Sequence, residues 1–226
     1  MIAWAVVVAG GSGSRFGRLK QLEVLNGRRI LDRSVDAMDA VCGGVVVVVP
    51  TVLVPSIGRE LDEARVVAGG STRSASVRAG LAAVGDDATH VLVHDAARPL
   101  ATRSLVDRVV GALASGARAV VPVVPVTDSL RMADGSGPLD RSTVVAVQTP
   151  QGFAVDVLRA AHRGGDEASD DATLVGALGV DIVHVPGEST NIKITEPHDL
   201  AVADLLLAEP PGPGSATASS GAHRVE

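Results

Sequence analysis

Val45-Val46-Val47-Val48-Val49, closed by Pro50, decides how the rest of the chain is read. Five β-branched residues with no polar position among them predict a strand buried on both faces, and such strands belong to parallel sheets covered by helices. Reading outward, Ala3–Val8 is a second buried strand, and Ile30–Val41 has helical spacing through Ile30, Leu31, Val35 and Met38. Beyond the valines, Val66–Ala68, His90–His94 and Ala117–Val121 read as strands. Helices over Ser74–Val84 and Thr102–Ser115 separate them, the second with Thr102 as its N-cap. This alternation predicts an α/β fold: a mostly parallel twisted sheet flanked by helices, in one domain over residues 1–208. Ligands bind such sheets beyond the carboxyl ends of the strands, which singles out the loops after Val8, Ala68 and His94.

Composition agrees. Of 226 residues, 46% are apolar but only 1% aromatic (Trp4, Phe16 and Phe153), so the core has to be built from Val, Leu, Ile and Ala. The net charge of −6 denies the chain the broad positive field that nucleic acid requires, while leaving room for a small anionic ligand. A single cysteine excludes an intramolecular disulfide and a Cys-rich zinc site, and fits a reducing, cytoplasmic compartment. Cys42 lies between Val41 and Gly43 at a helix end, where a small buried residue is favoured over a nucleophile. Ile2–Val8 is too short for a membrane span and has no basic segment before it, so it reads as a strand rather than a signal peptide.

Residues 122–150 break the rhythm with Pro122, Pro125, Pro138, Pro150 and Asp134-Gly135, the mark of a hairpin or arm leaving the sheet. After it come helices near Ala154–His162 and Ala172–Leu178, strands near Ile182–Val185 and Asn191–Ile194, and a helix from Pro197 to Leu207. Residues 209–226, rich in Pro, Gly, Ser and Ala, are expected to be a disordered tail.

The loop after the first strand runs Ala9-Gly10-Gly11-Ser12-Gly13-Ser14-Arg15-Phe16-Gly17-Arg18-Leu19-Lys20. Glycines allow close backbone approach to phosphate, and Arg15 and Lys20 add cations, so a nucleoside triphosphate is the natural guest. The alternative is an ordinary glycine-rich turn with solvated arginines. A P-loop is excluded because no Gly-Lys-Ser/Thr occurs. The dinucleotide fingerprint fails because Gly17 comes one residue late, which disfavours an NAD-dependent oxidoreductase. The loop Gly69-Gly70-Ser71-Thr72-Arg73 offers backbone and hydroxyl contacts to a base. His94-Asp95-Ala96-Ala97-Arg98-Pro99 places a carboxylate at a strand end, either to organise phosphates and hydroxyls or as a plain ion pair with Arg98. The histidines share no metal-ligand spacing, and His94 reads as structural. Asp170-Asp171 reads as a helix N-cap. Of 20 basic residues only Lys20 and Lys193 are lysine, so in a chain that defaults to arginine these two sites call for a compact ammonium.

Seven segments in order, AGGSGSRFG (9–17) with LKQ (19–21), VAGGSTRSASV (67–77), VLVHDAARPL (91–100), VPVTDSLR (124–131), AVQTPQGF (146–153), SDDATLV (169–175) and TNIKITEPHDL (190–200), resemble the 2-C-methyl-D-erythritol 4-phosphate cytidylyltransferase family over residues 3–207. The resemblance implies a Rossmann-like fold. It implies CTP and methylerythritol phosphate as substrates, Mg²⁺ as the metal, and a homodimer embraced by an arm at 126–148. It places CTP on Ala9, Gly10, Gly11, Gly13, Gly70, Ser76 and Asp95, and assigns catalysis to Arg15, Lys20, Arg141 and Lys193. The acceptor falls to Asp95, Arg98, Ser129, Arg141, Thr190 and Lys193, with Ser129 and Arg141 reaching into the neighbouring subunit. Mg²⁺ would be held mainly by the CTP phosphates, with Asp95 a candidate ligand. The chain departs from the family pattern at Leu19, where proline is usual, in the short Arg15–Lys20 interval, in the lead-in Val8-Ala9-Gly10-Gly11, at Ser129 for threonine, and at Thr190 for an acidic residue. The competing readings are a cytidylyltransferase for another polyol phosphate such as ribitol 5-phosphate, and a nucleotide-binding protein without turnover. Ala96-Ala97 between Asp95 and Arg98 favours methylerythritol phosphate over ribitol phosphate.

Overall fold

The structure, a computed structural model, describes residues 1–10, 16 and 19–208. In chain order it contains β1 (Ala3–Val8), β2 (Val24–Leu25), β3 (Arg28–Arg29), α1 (Ile30–Asp39), β4 (Val45–Val49), α2 (Val54–Glu60), β5 (Arg65–Ala68), α3 (Arg73–Ala82), β6 (His90–Asp95) and α4 (Arg103–Ala114). There follow β7 (Ala119–Pro125), β8 (Leu130–Arg131), β9 (Pro138–Leu139), β10 (Val145–Val147), β11 (Gln151–Ala154), α5 (Val155–Ala161), α6 (Asp171–Gly176), β12 (Val183–Pro186) and α7 (Pro197–Ala208). The main sheet runs β10-β7-β11-β6-β1-β4-β5, with β12 also paired to β7. Pairs β1–β4, β1–β6, β4–β5 and β7–β12 are parallel, and β10 and β11 are antiparallel.

The valine run is central because both of its faces are covered. Val46 and Val48 pack with Val6 and Val93 against Val77, Leu81, Leu158 and Val175 of α3, α5 and α6. Val45, Val47 and Val49 pack with Val7 and Leu92 against Leu31, Val35, Met38 and Val106 of α1 and α4. Alternate side chains therefore feed two separate layers. The expected caps are present: Thr102 accepts from the Leu105 N–H, and Asp170 from the Thr173 N–H. The Cys42 thiol is half-buried and inert, pushed up to about 12 by burial and by Asp39.

Four features depart from the sequence reading. The segment Asn191–Ile194 is no strand: the Ile192 N–H turns back onto the Thr190 carbonyl, leaving the Ile194 N–H to bind Ala97. The antiparallel β11 enters the sheet between β6 and β7; its alternation was hidden because the buried Gln151 is polar. Gln151 is satisfied by Asp170 and the Ala172 N–H. The β2–β3 hairpin, absent from the sequence reading, turns at Asn26 (φ 45°) and Gly27 (φ 74°), both left-handed, as an Asn-Gly pair favours. The short α2, with Pro55 in its first turn, is likewise absent from the sequence reading. Residues 126–148 do leave the sheet: β8 and β9 form a hairpin, and β10 returns antiparallel onto β7, Val147 opposite Val123. The expected tail, 209–226, lies outside the described residues.

Gly80 of α3 lies directly over β1 and β4; a Cβ there would stand 2.4 Å from Val6 Cγ1 and 2.9 Å from Val48 Cγ2, both in fully buried side chains. Alanine would favour the helix by about 1 kcal/mol, but overpacking costs about 1–3 kcal/mol. Gly80→Ala is therefore expected to lower the denaturant midpoint; a midpoint at or above wild type would show that the valine layer yields.

Candidate active site at the carboxyl ends of the central strands

The chain order of the strands reverses at β1, which has β4 on one side and β6 on the other, and Val8 and Asp95 end their strands opposite each other. The crevice expected at such a switch point is present. All three singled-out loops line one cavity of about 580 Å³: Ala9 and Gly10 after β1, Gly70 to Arg73 with Ser76 after β5, and Asp95 to Ala97 after β6, joined by Lys20 and Lys193. A second cavity of about 410 Å³ adjoins it, lined by Arg98, Gln148, Thr149, Gln151 and Asp170 among others. Arg73, Asp95 and Lys193 line both.

The glycines in this crevice have a packing reason as well as a ligand reason. A Cβ on Gly70 would meet the Ala75 Cβ at 2.4 Å, and one on Gly10 would meet Ser76 Oγ at 3.1 Å. Glycine thus lets the first turns of α3 press against the strand ends. Ser76 Oγ donates to the Thr72 carbonyl at 2.9 Å, so this buried hydroxyl ties the loop to its helix. The Ala9 N–H is spent on the Val48 carbonyl at 2.7 Å; what Ala9 can offer a ligand is its surface rather than its amide.

Asp95 is the electrostatic centre. Its Oδ2 accepts from Lys193 Nζ at 2.6 Å and its Oδ1 from Arg73 Nε at 3.3 Å. Burial alone would raise its pKa, but the charges of Lys193, Arg73 and Arg98 prevail and hold the carboxyl well below the usual range. Lys20 Nζ donates to the Ile194 carbonyl at 2.8 Å, beside Lys193 in the chain. Arg98 is stitched to main chain, Nη1 to Asn191 O at 2.8 Å and Nη2 to Val147 O at 3.2 Å, and burial lowers its pKa. The irregular segment carrying Lys193 is held by Asn191, whose Nδ2 donates to the Thr149 carbonyl at 3.0 Å, and by Gln148, whose Nε2 donates to the Glu188 carbonyl at 2.7 Å.

Of the residues expected to act, the structure brings together Ala9, Gly10, Lys20, Gly70, Ser76, Asp95 and Lys193 in the larger cavity, with Arg98 next door. Gly11, Gly13 and Arg15 lie outside the described residues. Ser129, Arg141 and Thr190 are exposed and line neither cavity; Arg141 instead donates to the Thr127 carbonyl on its own arm. Sequence reasoning missed Arg73 as a site residue, and it read Asp171 as a cap when Asp171 is a fully buried partner of Arg73 and His162. The available signal was the doubled Asp170-Asp171, since only one of two adjacent carboxylates can cap. Among the described residues no cluster of three or more His, Cys, Asp or Glu could hold a metal by itself, and no helix is long and apolar enough to cross a membrane.

The family model for 2-C-methyl-D-erythritol 4-phosphate cytidylyltransferase matches residues 3–209. The cytidylyltransferase of that name from Rhodococcus jostii is 48% identical over 215 residues, spanning 91% of this chain and 95% of its own. The crystal structure of the Thermus thermophilus protein of the same name superimposes with a TM-score of 0.76 at 39% identity, covering 89% of this chain and 97% of that one. A 4-diphosphocytidyl-2C-methyl-D-erythritol synthase from Anaerococcus prevotii superimposes with a TM-score of 0.81 at 26% identity, covering 92% and 99%.

His94 supports the site from beneath and sets a pH limit. Its Nε2–H donates to the Arg98 carbonyl at 3.2 Å, so Nδ1 must accept from Thr149 Oγ1, 3.1 Å away, while that oxygen accepts from the Asp95 N–H. Burial lowers its pKa from 6.5 to about 4. The unfolded chain takes up this proton near 6.5 and the folded chain refuses it until about 4, so acid favours unfolding across that window. The loss amounts to about 3 kcal/mol by the bottom of the window. Denaturant midpoints should fall from pH 7 to pH 4.5 in wild type and fall less in His94→Gln; equal slopes would show that the imidazole does not carry the effect.

Proposed function

We propose a division of labour for this site from one premise: the chain belongs to the 2-C-methyl-D-erythritol 4-phosphate cytidylyltransferase family. It transfers the cytidylyl group of CTP to 2-C-methyl-D-erythritol 4-phosphate, giving CDP-methylerythritol and pyrophosphate in the non-mevalonate isoprenoid pathway. An oxygen of the acceptor phosphate attacks the α-phosphorus of CTP; the new P–O bond forms as the bond to the β-phosphate oxygen breaks, and pyrophosphate leaves. Charge builds on the non-bridging oxygens, so placed cations matter more than covalent participation.

The larger cavity takes CTP, with the nucleoside against Gly70 and Ser76 and the triphosphate along Ala9, Gly10 and the loop carrying Gly11, Gly13 and Arg15. Lys20, with Arg15, stabilises the α-phosphate. The smaller cavity takes the acceptor, its phosphate drawn by Lys193 and Arg98. The observation that carries this reading is that the two lysines of the chain, far apart in sequence, face one cavity. Mg²⁺ suits this donor set only as an ion shared with substrate. Asp95 is a hard oxygen ligand, but Lys193 and Arg73 already occupy it, so the phosphates and water would supply most of the coordination. When bound, the ion would neutralise triphosphate charge and steady the departing pyrophosphate. The single free thiol fits action in the reducing cytoplasm.

Ser129 and Arg141 fit a role across a homodimer. Their arm exposes Met132, Leu139, Val145 and Val147, an apolar surface that calls for a covering partner. With two-fold symmetry each arm would complete the other subunit's acceptor site.

Pyrophosphate release, measured for each nucleoside triphosphate against methylerythritol phosphate and ribitol 5-phosphate, should be fastest with CTP and methylerythritol phosphate and should stop in EDTA. Lys20→Ala and Lys193→Ala should each reduce kcat about 100-fold or more without loss of fold. Equal rates with other nucleotides, or near wild-type kcat in either variant, would refute the assignment.

Mixing Lys20→Ala with Arg141→Ala subunits tests the composite site. Each variant alone should be nearly inactive. A mixed dimer has one doubly damaged and one intact site, so it should recover about half the wild-type activity. Demonstrated subunit exchange with no recovery would show that Arg141 serves its own subunit.

A further inference from the structure

Arg73 stands where two anions must meet. It lines both cavities, as do Asp95 and Lys193, and these three form the wall between the donor and acceptor sides. In-line transfer brings the acceptor phosphate against the α-phosphate at that wall. Two like-charged groups approach there, and the approach requires cations beside both.

The surroundings hold Arg73 with unusual thoroughness. Its Nη1 donates to Asp171 Oδ2 at 2.8 Å and its Nε to Asp95 Oδ1 at 3.3 Å, while Nη2 donates to no described residue. Asp171 is fully buried, and its other oxygen accepts from His162 Nε2 at 2.8 Å; His162 is itself 4% exposed. Asp171 is also the first residue of α6, where the helix dipole favours negative charge. A chain of buried groups thus runs from His162 through Asp171 to a guanidinium that lines both cavities and has donors to spare. A structural ion pair would need only Asp171. The second tie, to Asp95, has a further consequence: when Lys193 turns toward substrate phosphate, Arg73 remains as a counter-charge of that carboxylate.

We propose that Arg73 is a further catalytic residue of this reaction, donating from the wall between the cavities to the phosphate under transfer. Asp171, backed by His162, is its positioning residue. The proposal rests on the assignment of the two cavities to CTP and to the polyol phosphate. It accounts for a buried aspartate beyond the cap that α6 requires, and for a cation whose five donors can hold two carboxylates and still serve a ligand.

The test is steady-state kinetics over a grid of CTP and methylerythritol phosphate for wild type, Arg73→Gln, Arg73→Lys, Asp171→Asn and the Arg73→Gln/Asp171→Asn double variant. Thermal melts and equilibrium CTP binding are measured on each. Arg73→Gln should lower kcat about 100-fold while retaining CTP binding. Arg73→Lys should recover only part of the loss, since it restores charge but not the fork. Asp171→Asn should lower kcat about tenfold alone and add nothing in the Arg73→Gln background, because it acts through that side chain. The double variant removes both partners, so it remains informative if Arg73→Gln alone fails to fold around a buried Asp171 left with His162 only. A kcat within threefold of wild type in a folded Arg73→Gln or double variant overturns the proposal, as does an Asp171→Asn loss that multiplies with that of Arg73→Gln. Wild type that releases no pyrophosphate would instead refute the underlying assignment, and the proposal with it.

Discussion

The site depends on one buried carboxylate. Asp95 ends β6 opposite Val8 of β1, so the sheet register places it at the mouth of the switch-point crevice. Its backbone N–H is taken by Thr149, which fixes the strand end to the segment before β11. Its two oxygens take Lys193 and Arg73. A unit charge pair at about 4 Å with an effective dielectric of 20 is worth about 4 kcal/mol, enough to explain why the carboxyl stays ionised despite burial. Formally, Asp95 and Asp171 face Arg73, Arg98 and Lys193, so the cluster carries one positive charge in excess before any ligand arrives. Electrostatics therefore prepares the crevice for an anion, although the whole chain is acidic.

Rigidity beneath the crevice comes from the aliphatic layers. With few aromatic side chains, the core relies on close contact of valine, leucine and alanine, and glycine gives the shortest approaches. Gly80 brings α3 onto β1 and β4, Gly152 brings β11 under Val109 and Leu113 of α4, and Gly70 lets α3 begin against the loop. Helix α3 thus presents Arg73 from its first turn at a height set by packing. Lys193 is placed differently: its segment has no regular structure and is located by amide side chains, Gln148 and Asn191, bonded to main chain on both sides. Arg73 should be the stiffer of the two cations, and Lys193 the one able to exchange a carboxylate for a phosphate.

What the sequence revealed follows from how locally each feature is encoded. The β/α alternation was legible because each strand and helix carries its own apolar period, and the three site loops followed from parallel topology alone. Thr102 and Asp170 were legible as caps because capping acts over three residues. Strand β11 was not legible, because its buried Gln151 draws its partners from Asp170 and Ala172, far along the chain. Arg73 and Asp171 escaped for the same reason: their pairing spans 98 residues, and neither shows its burial in its own neighbourhood. The segment around Lys193 read as a strand from its alternating Ile192 and Ile194, yet Ile194 is buried in a small separate cluster with Phe16, Leu25 and Leu100 rather than in the sheet.

The lysine count shows how composition can carry structural information. In a chain with 20 basic residues, arginine is tolerated almost everywhere a cation is needed, and only positions 20 and 193 keep lysine. The structure gives both a reason. Lys20 reaches the Ile194 carbonyl and Lys193 reaches Asp95, so two ammonium groups from distant parts of the chain line one cavity. A guanidinium spreads five donors over a plane, and Arg73 gives one bond to each of two carboxylates. The Lys193 ammonium meets Asp95 through one carboxylate oxygen, a contact that it can exchange for a phosphate oxygen without breaking a fork. In the proposed reaction Arg73, tied to two of the protein's own carboxylates, is the cation that stays, and Lys193, which gives Asp95 a single bond, is the one that can turn to a phosphate.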